Sequence, residues 1–212
     1  MLDYGKKTYI MGILNVTPDS FSDGGDYTNI DIAVNHAKEM IELGADMIDL
    51  GGESTRPGHK FVSAEEEISR IVPVIKRLKE EINVPISIDT YKSEVAEEAL
   101  KLGVDMVNDV WGLTYDGKMA DVVAKYDGEV CIMHNQEGTD YDKDIMEAIK
   151  EFLQNSIDMA LKAGVKKEKI VLDPGIGFGK TYEQNIEVLE RLGELRDLGY
   201  PVLLGTSRKS VL

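Results

Sequence analysis

Two stretches of this chain repeat one another. Leu43-Gly44-Ala45-Asp46-Met47-Ile48-Asp49 is echoed by Leu102-Gly103-Val104-Asp105-Met106-Val107-Asn108. In each, a helix pattern stops at a glycine, the residue best able to take the left-handed conformation that closes a helix, and an apolar run follows at once. The same stop recurs at Ala163-Gly164-Val165 and Leu198-Gly199-Tyr200. Strands are expected near residues 8–14, 47–50, 86–88, 105–109, 129–133, 170–172 and 201–205. Helices are expected near 30–43, 64–81, 92–102, 118–126, 142–163 and 183–198. Between 64 and 82, for example, Ile68, Ile71, Val72, Ile75, Leu78 and Ile82 recur at three- and four-residue spacing, the stripe of a helix buried on one face. Seven strands alternating with six helices predict a run of βα units, hence a parallel sheet covered by helices.

Such a sheet either stays open and doubly wound or closes into a TIM (β/α)8 barrel. The strand ends favour the barrel. Asn15, Asp89, Asn108 with Asp109, His134 with Asn135, Asp173 and Ser207 lie at or just past the C-terminal ends of apolar runs. A barrel brings all such ends to one mouth, where the active sites of that fold lie. An open sheet gathers only those beside its switch point. A barrel has about 250 residues, and the sequence stops at 212, where a seventh helix should begin. The eighth βα unit is therefore expected to be missing, and a fragment of a longer polypeptide is favoured over a barrel open beside its seventh strand.

Composition narrows the function classes. At 212 residues, one well-buried barrel domain over 1–212 is expected rather than two domains. Acids outnumber bases by 39 to 24, for a net charge of −15, which argues against nucleic acid as a partner because that affinity comes from basic surface. The N-terminus, Met1-Leu2-Asp3-Tyr4-Gly5-Lys6-Lys7, lacks the apolar core of a signal peptide, and no apolar run approaches membrane-spanning length. Cys131 lies in the apolar run Val130-Cys131-Ile132-Met133, the setting of a core residue rather than a nucleophile or ligand. A cytoplasmic protein with no membrane partner is expected.

Two loops carry more polar function than a connection needs. Asn15-Val16-Thr17-Pro18-Asp19-Ser20-Phe21-Ser22-Asp23-Gly24-Gly25 follows the first apolar run with turn formers, hydrogen-bonding groups and acids. Asp173-Pro174-Gly175-Ile176-Gly177-Phe178-Gly179-Lys180-Thr181 ends in the Gly-Lys-Thr of a phosphate-binding P-loop, but that motif's first glycine falls on Pro174, which has no N–H to offer a phosphate. The dinucleotide fingerprint is not met either. A glycine-lined wall that lets a flat ligand approach the backbone, with Asp173 aimed at it, is the better reading.

These two segments, with Gly52-Glu53-Ser54-Thr55-Arg56-Pro57-Gly58, Ser87-Ile88-Asp89-Thr90, Val107-Asn108-Asp109-Val110 and Gly205-Thr206-Ser207-Arg208-Lys209-Ser210, resemble the dihydropteroate synthases, in order and over the whole chain. The resemblance implies a transferase of folate biosynthesis. It would condense 6-hydroxymethyl-7,8-dihydropterin diphosphate with 4-aminobenzoate to give 7,8-dihydropteroate and pyrophosphate. The pterin-binding methyltransferases share the Asp/Asn/Asp frame but have no use for Ser207-Arg208-Lys209-Ser210 or Thr55-Arg56-Pro57.

By position, the resemblance assigns the pterin to Asp89, Asn108, Asp173 and Lys209, with Met133 or His134 lining the pocket and Asp109 a structural neighbour. A carboxylate suits the donor edge of a pterin because it accepts two parallel N–H bonds. Thr55 and Arg56 match the diphosphate-holding positions, and Asn15 the residue that contacts Mg²⁺, the implied cofactor. Phe21, Pro57 and Ser210 match the 4-aminobenzoate site, the carboxylate sitting at a helix start. Asp23 and Asp89 are the implied catalytic residues, stabilising a cationic methylene on the pterin once pyrophosphate leaves. Loops 17–28 and 53–64 are expected to close over it and exclude water. The family is a sulfonamide target, and its full-length enzyme is expected to be a homodimer. Its remaining anion site, an Arg and a His on the eighth strand, has no counterpart here, so turnover by this piece alone is not assured. Many members carry methionine where Asn135 stands.

Overall fold

A computed structural model describes residues 2–16, 26–54, 61–207 and 209, with backbone alone for 26–28. Among the described residues six strands alternate with six α-helices: β1 Met11–Asn15, α1 Asp26–Glu42, β2 Met47–Gly51, α2 Ala64–Glu81, β3 Ile86–Asp89, α3 Ser93–Lys101, β4 Met106–Asp109, α4 Met119–Lys125, β5 Glu129–Met133, α5 Ile145–Ala163, β6 Ile170–Asp173 and α6 Tyr182–Glu190. The chain clusters into two compact units, Met1–Asn108 and Asp109–Leu212.

In the first unit β1, β2, β3 and β4 pair in chain order, all parallel. Side chains alternate along a strand, so residues two apart share a face. One face carries Leu14, Ile48, Leu50, Ile86, Ile88 and Val107, each 1% exposed or less. The helices supply the matching stripes: Ala33, Val34 and Ala37 from α1, Ile71, Val74, Ile75 and Leu78 from α2, and Val95, Ala96 and Ala99 from α3. Burying such side chains is worth about 1.5–3 kcal/mol each, which is what drives the layers together. The stripe of α2 differs in detail from the expected one. Ile68, Val72 and Ile82 are only half-buried, while Val74 and Glu67 are buried. Ser63 caps this helix by accepting from Glu66 N, and Pro73 lies inside it.

In the second unit β5 and β6 pair in parallel, and α5 covers them through Ile149, Leu153 and Ile157. Asp144 caps α5 on Met146 N and Glu147 N, and Gly164 closes it at φ 101°, as the repeated glycine stop predicts. Two expected elements come out differently. The seventh strand is reduced to a single bridge, Leu172 with Val202, flanked by the Leu172 N to Pro201 O and Leu203 N to Leu172 O bonds. The helix expected over 183–198 ends at Glu190 and gives way to a 3-10 turn, Leu192–Leu198. Gly193, a poor helix former, sits at that break, and the Arg191 guanidinium there is drawn to Asp144, Glu187 and Glu194. The first strand starts at Met11 rather than 8, because Asp46 takes the Ile10 N–H and so ends the ladder from the side. Among the described residues no helix is long and apolar enough to cross a membrane.

Candidate functional site

The polar face of β1–β4 carries three of the expected site residues, Asn15, Asp89 and Asn108. The pairing register aligns Asn15 with Gly51, Gly51 with Asp89, and Asp89 with Asn108, one row across the C-terminal ends of four parallel strands. Gly51 is the gap in that row. A Cβ placed on it would lie 3.1 Å from Asn15 Oδ1 and 3.7 Å from Asp89 Oδ2, so both side chains converge over its bare backbone. Asn15 is exposed, and Asp89 and Asn108 are half-buried, as groups that must meet a ligand should be.

One row deeper on the same face lie Asp49 and Ser87, register partners and both buried. Asp49 Oδ2 accepts from Asn108 Nδ2 at 3.0 Å. A carboxylate has only lone pairs to offer, so the amide nitrogen of Asn108 must face it, leaving the amide oxygen as the free acceptor of that side chain. Burial pushes the Asp49 carboxyl up from its ordinary value, and the Ser87 hydroxyl and Asn108 amide pull it back. Asp49 is a site residue that sequence reasoning passed over. Its signal was its place two residues before Gly51 on one strand face.

A buried ionic cluster stands beside this row. The Lys92 ammonium pairs with Glu53 and, at 2.6 Å, with Glu67, while Glu53 Oε1 accepts from Val62 N at 3.0 Å. It also lies over the rings of Tyr91 and Phe61, at 4.6 and 5.2 Å. The cluster ties the end of the Gly52-Glu53 turn to the start of α2.

In the second unit Asp173 ends β6, paired in register with Met133 of β5, and is 5% exposed. Asp173 Oδ1 accepts from Gly175 N at 2.7 Å. This closes a tight turn, the structural role open to any Asp before a proline. Its other oxygen, Oδ2, faces Gly205, whose Cβ position would lie 3.5 Å away. Gly175 has φ 71°, and a Cβ on it would come within 1.9 Å of the His134 carbonyl oxygen, so only glycine fits there. Lys209 lays its ammonium over the Phe178 ring at 4.0 Å. Asp173, Phe178, Gly205 and Lys209 thus lie together, with the Lys209 charge acting on the Asp173 carboxylate.

Lys180 is buried beside Phe178. Its Nζ lies 2.9 Å from His134 Nδ1, 2.9 Å from Gly175 O and 3.0 Å from Phe178 O. The electrostatics follow from burial. Asp173 is pushed up to about 6 by desolvation, against the pull of the Gly175 N–H, Lys180 and Lys209. Lys180 is pushed down to about 7 by desolvation, with Asp173 holding it up. His134 falls to about 3, through burial and then the Lys180 charge. Asp109 is spent on structure: its two oxygens take the Trp111 and Leu113 N–H groups at 2.8 Å each.

Of the sequence-assigned residues, Asn15, Asp89, Asn108, Asp173 and Lys209 are therefore described. Phe21, Asp23, Thr55, Arg56, Pro57 and Ser210, with residues 17–25 and 55–60 of the two expected closing loops, lie outside the described residues. Among the described residues no cluster of three or more His, Cys, Asp or Glu could hold a metal ion by itself.

Known proteins match this chain over nearly all its length. A family profile described as pterin binding enzyme matches residues 11–212. A dihydropteroate synthase of Clostridium beijerinckii is 60% identical over 208 residues, covering 98% of this chain and 77% of that protein. One from Bacillus subtilis is 53% identical, covering 98% of this chain and 73% of its own length. A dihydropteroate synthase from Clostridium difficile, crystallised in the presence of pteroic acid, is 74% identical with a TM-score of 0.98, over 100% of this chain and 80% of that one. One from Xanthomonas albilineans, in complex with 7,8-dihydropteroate, is 40% identical with a TM-score of 0.88, over 99% of this chain and 76% of that one. The TIM-barrel class expected from the βα pattern is borne out by this likeness.

Proposed function

We propose, for a chain that belongs to the pterin binding enzyme family, that it carries out the reaction of the dihydropteroate synthases. It joins 6-hydroxymethyl-7,8-dihydropterin diphosphate to 4-aminobenzoate, giving 7,8-dihydropteroate and pyrophosphate. The observation that carries this reading is the aligned row Asn15, Gly51, Asp89 and Asn108: acceptor groups around a bare glycine, on the face opposite the one carrying Leu14, Ile48, Leu50, Ile86, Ile88 and Val107.

A pterin presents adjacent N–H donors along one edge. Asp173, with Oδ1 committed to Gly175 N and Oδ2 beside Gly205, is assigned that edge. Asn108, whose amide oxygen is set free by Asp49, and Asp89 take other polar atoms of the ring. Lys209, over the Phe178 ring, holds the pterin diphosphate by its point charge. Thr55 and Arg56 hold the diphosphate, and Phe21, Pro57 and Ser210 the 4-aminobenzoate.

The chemistry asks for no covalent intermediate. The C–O bond between the pterin methylene and the diphosphate breaks, leaving a cationic methylene that Asp89 and Asp23 stabilise. The aromatic amine supplies an electron pair to form the C–N bond and then loses a proton. Mg²⁺ fits the leaving group: the Asn15 amide oxygen, exposed at the end of β1, is a hard oxygen of the kind that ion takes when phosphates and water complete its shell. When bound it neutralises the departing diphosphate. Cytoplasmic localisation, a homodimer and sensitivity to sulfonamides complete the reading. A dihydropteroate synthase from Yersinia pestis has been crystallised with a sulfonamide drug.

Calorimetry tests the pterin assignment. Pteroic acid should bind the wild-type chain, and Asp173→Asn should weaken it by roughly 2–3 kcal/mol, because a charged acceptor is lost from a buried donor edge. Undiminished affinity in Asp173→Asn would remove Asp173 from the pterin site.

A further inference from the structure

Lys180 has no part in the roles assigned above, yet its surroundings are unusual for a lysine. The ammonium is buried and every hydrogen-bond partner is neutral: one ring nitrogen and two backbone carbonyls. An ammonium carries three protons, and three acceptors take them, so no donor is wasted. Two of those acceptors, Gly175 O and Phe178 O, belong to the loop that follows Asp173. Gly175 is consequently held at both ends, its N–H by Asp173 Oδ1 at 2.7 Å and its carbonyl by Lys180 at 2.9 Å. Phe178, the second anchor, carries the ring under Lys209.

The third acceptor has a consequence for His134. An ammonium has no lone pair, so Nδ1 must accept and the ring hydrogen must sit on Nε2. The ring is wedged between Tyr141, stacked at 6.1 Å, and Phe152, edge-on at 5.0 Å, which fixes its plane. His134 in turn hands its backbone N–H to Asp173 O at 2.9 Å. Two of the three contacts of Lys180 therefore end on residues bonded to Asp173: Gly175, whose N–H its carboxylate accepts, and His134, whose N–H its backbone carbonyl accepts.

We propose that Lys180 is a positioning residue of the pterin site: its ammonium clasps residues 174–179 to His134, setting the direction of the Asp173 carboxylate and the tautomer of the His134 ring. This inference rests on the pterin assignment of Asp173. Methionine matches the lysine stem but leaves the Phe178 carbonyl and the His134 ring nitrogen without a donor, the Gly175 carbonyl keeping only the Phe178 N–H at 3.1 Å, and each unmade bond of a buried group carries a penalty. The loop then relaxes, and Asp173 loses both its aim and a nearby positive charge. The charged group acting on Lys180 is Asp173 at the end of β6, and the titratable ring against it is His134 after β5.

The test has an arm that needs no variant. In wild-type protein labelled with ¹⁵N-histidine, at about pH 6.5, the His134 ring should carry its hydrogen on Nε2; a hydrogen on Nδ1 would overturn the clasp. In Lys180→Met that preference should be lost and pteroic acid should bind roughly tenfold or more weakly, with unchanged affinity and tautomer contradicting the proposal. If Lys180→Met does not fold, the wild-type tautomer decides alone. Asp173→Asn separates the two ideas. Full affinity there sinks the pterin assignment, whereas loss there with full affinity in Lys180→Met sinks only the clasp.

Discussion

Asp173 pits stability against use within one side chain. Desolvation lifts its carboxyl to about 6 in the folded protein, while the unfolded chain titrates near the ordinary aspartate value of 3.8. A carboxyl raised in this way favours folding below the unfolded value, and that contribution is lost as pH rises through about 6. At neutral pH the fold therefore holds an anion at a cost. Asp173→Asn should unfold at higher urea at pH 7.5, by about 1–2 kcal/mol, and the gain should vanish below about pH 4. An equal effect at both pH values would mean that burial of the charge is not what strains the site. His134 acts with the opposite sign. Its folded value near 3 lies below the ordinary 6.5, so its contribution is present above 6.5 and lost as pH falls toward 3. Replacing it with Gln should flatten the acid limb of the stability profile between those values.

At the scale of elements, the site is made where strands stop and helices start, and α6 shows how the two are joined. Thr181 Oγ1 accepts from Gln184 N at 3.3 Å while Gln184 Oε1 accepts from Thr181 N at 2.7 Å, a reciprocal cap placed one residue after Lys180. The cap fixes where the glycine loop ends. Thr181→Ala should cost about 1 kcal/mol in urea unfolding; no measurable loss would mean that the cap does not hold the helix start. The alternation of strands and helices, the glycine stops and the strand-end residues Asn15, Asp89, Asn108 and Asp173 were all legible, because periodicity and turn chemistry are local. What escaped depends on contacts between elements. The break at Arg191 follows from acids on α5 and the 3-10 turn, and the loss of ladder at 201–205 from pairing that a single strand does not encode. Asp49 becomes a site residue only once the register sets it beneath Asn108. In sequence Lys180 is the tail of a failed phosphate loop, since nothing there says that its protons go to His134 and two carbonyls.

At the scale of the whole molecule, a chain of net charge −15 must accept an anionic substrate, so binding has to rest on a few local cations rather than on overall attraction. Lys209, held over Phe178, is assigned that role, with Arg56 as its companion. The acceptors, by contrast, are built into strand ends, which need little ordering when a ligand arrives. Such a division suits a reaction in which the pterin is held firmly while its diphosphate departs and an aromatic amine enters. The most direct test is product stoichiometry. With 6-hydroxymethyl-7,8-dihydropterin diphosphate, Mg²⁺ and 4-aminobenzoate, pyrophosphate should appear mole for mole with 7,8-dihydropteroate, and neither should form when the amine is left out. Pyrophosphate released at the same rate without 4-aminobenzoate, and with no dihydropteroate, would contradict the account.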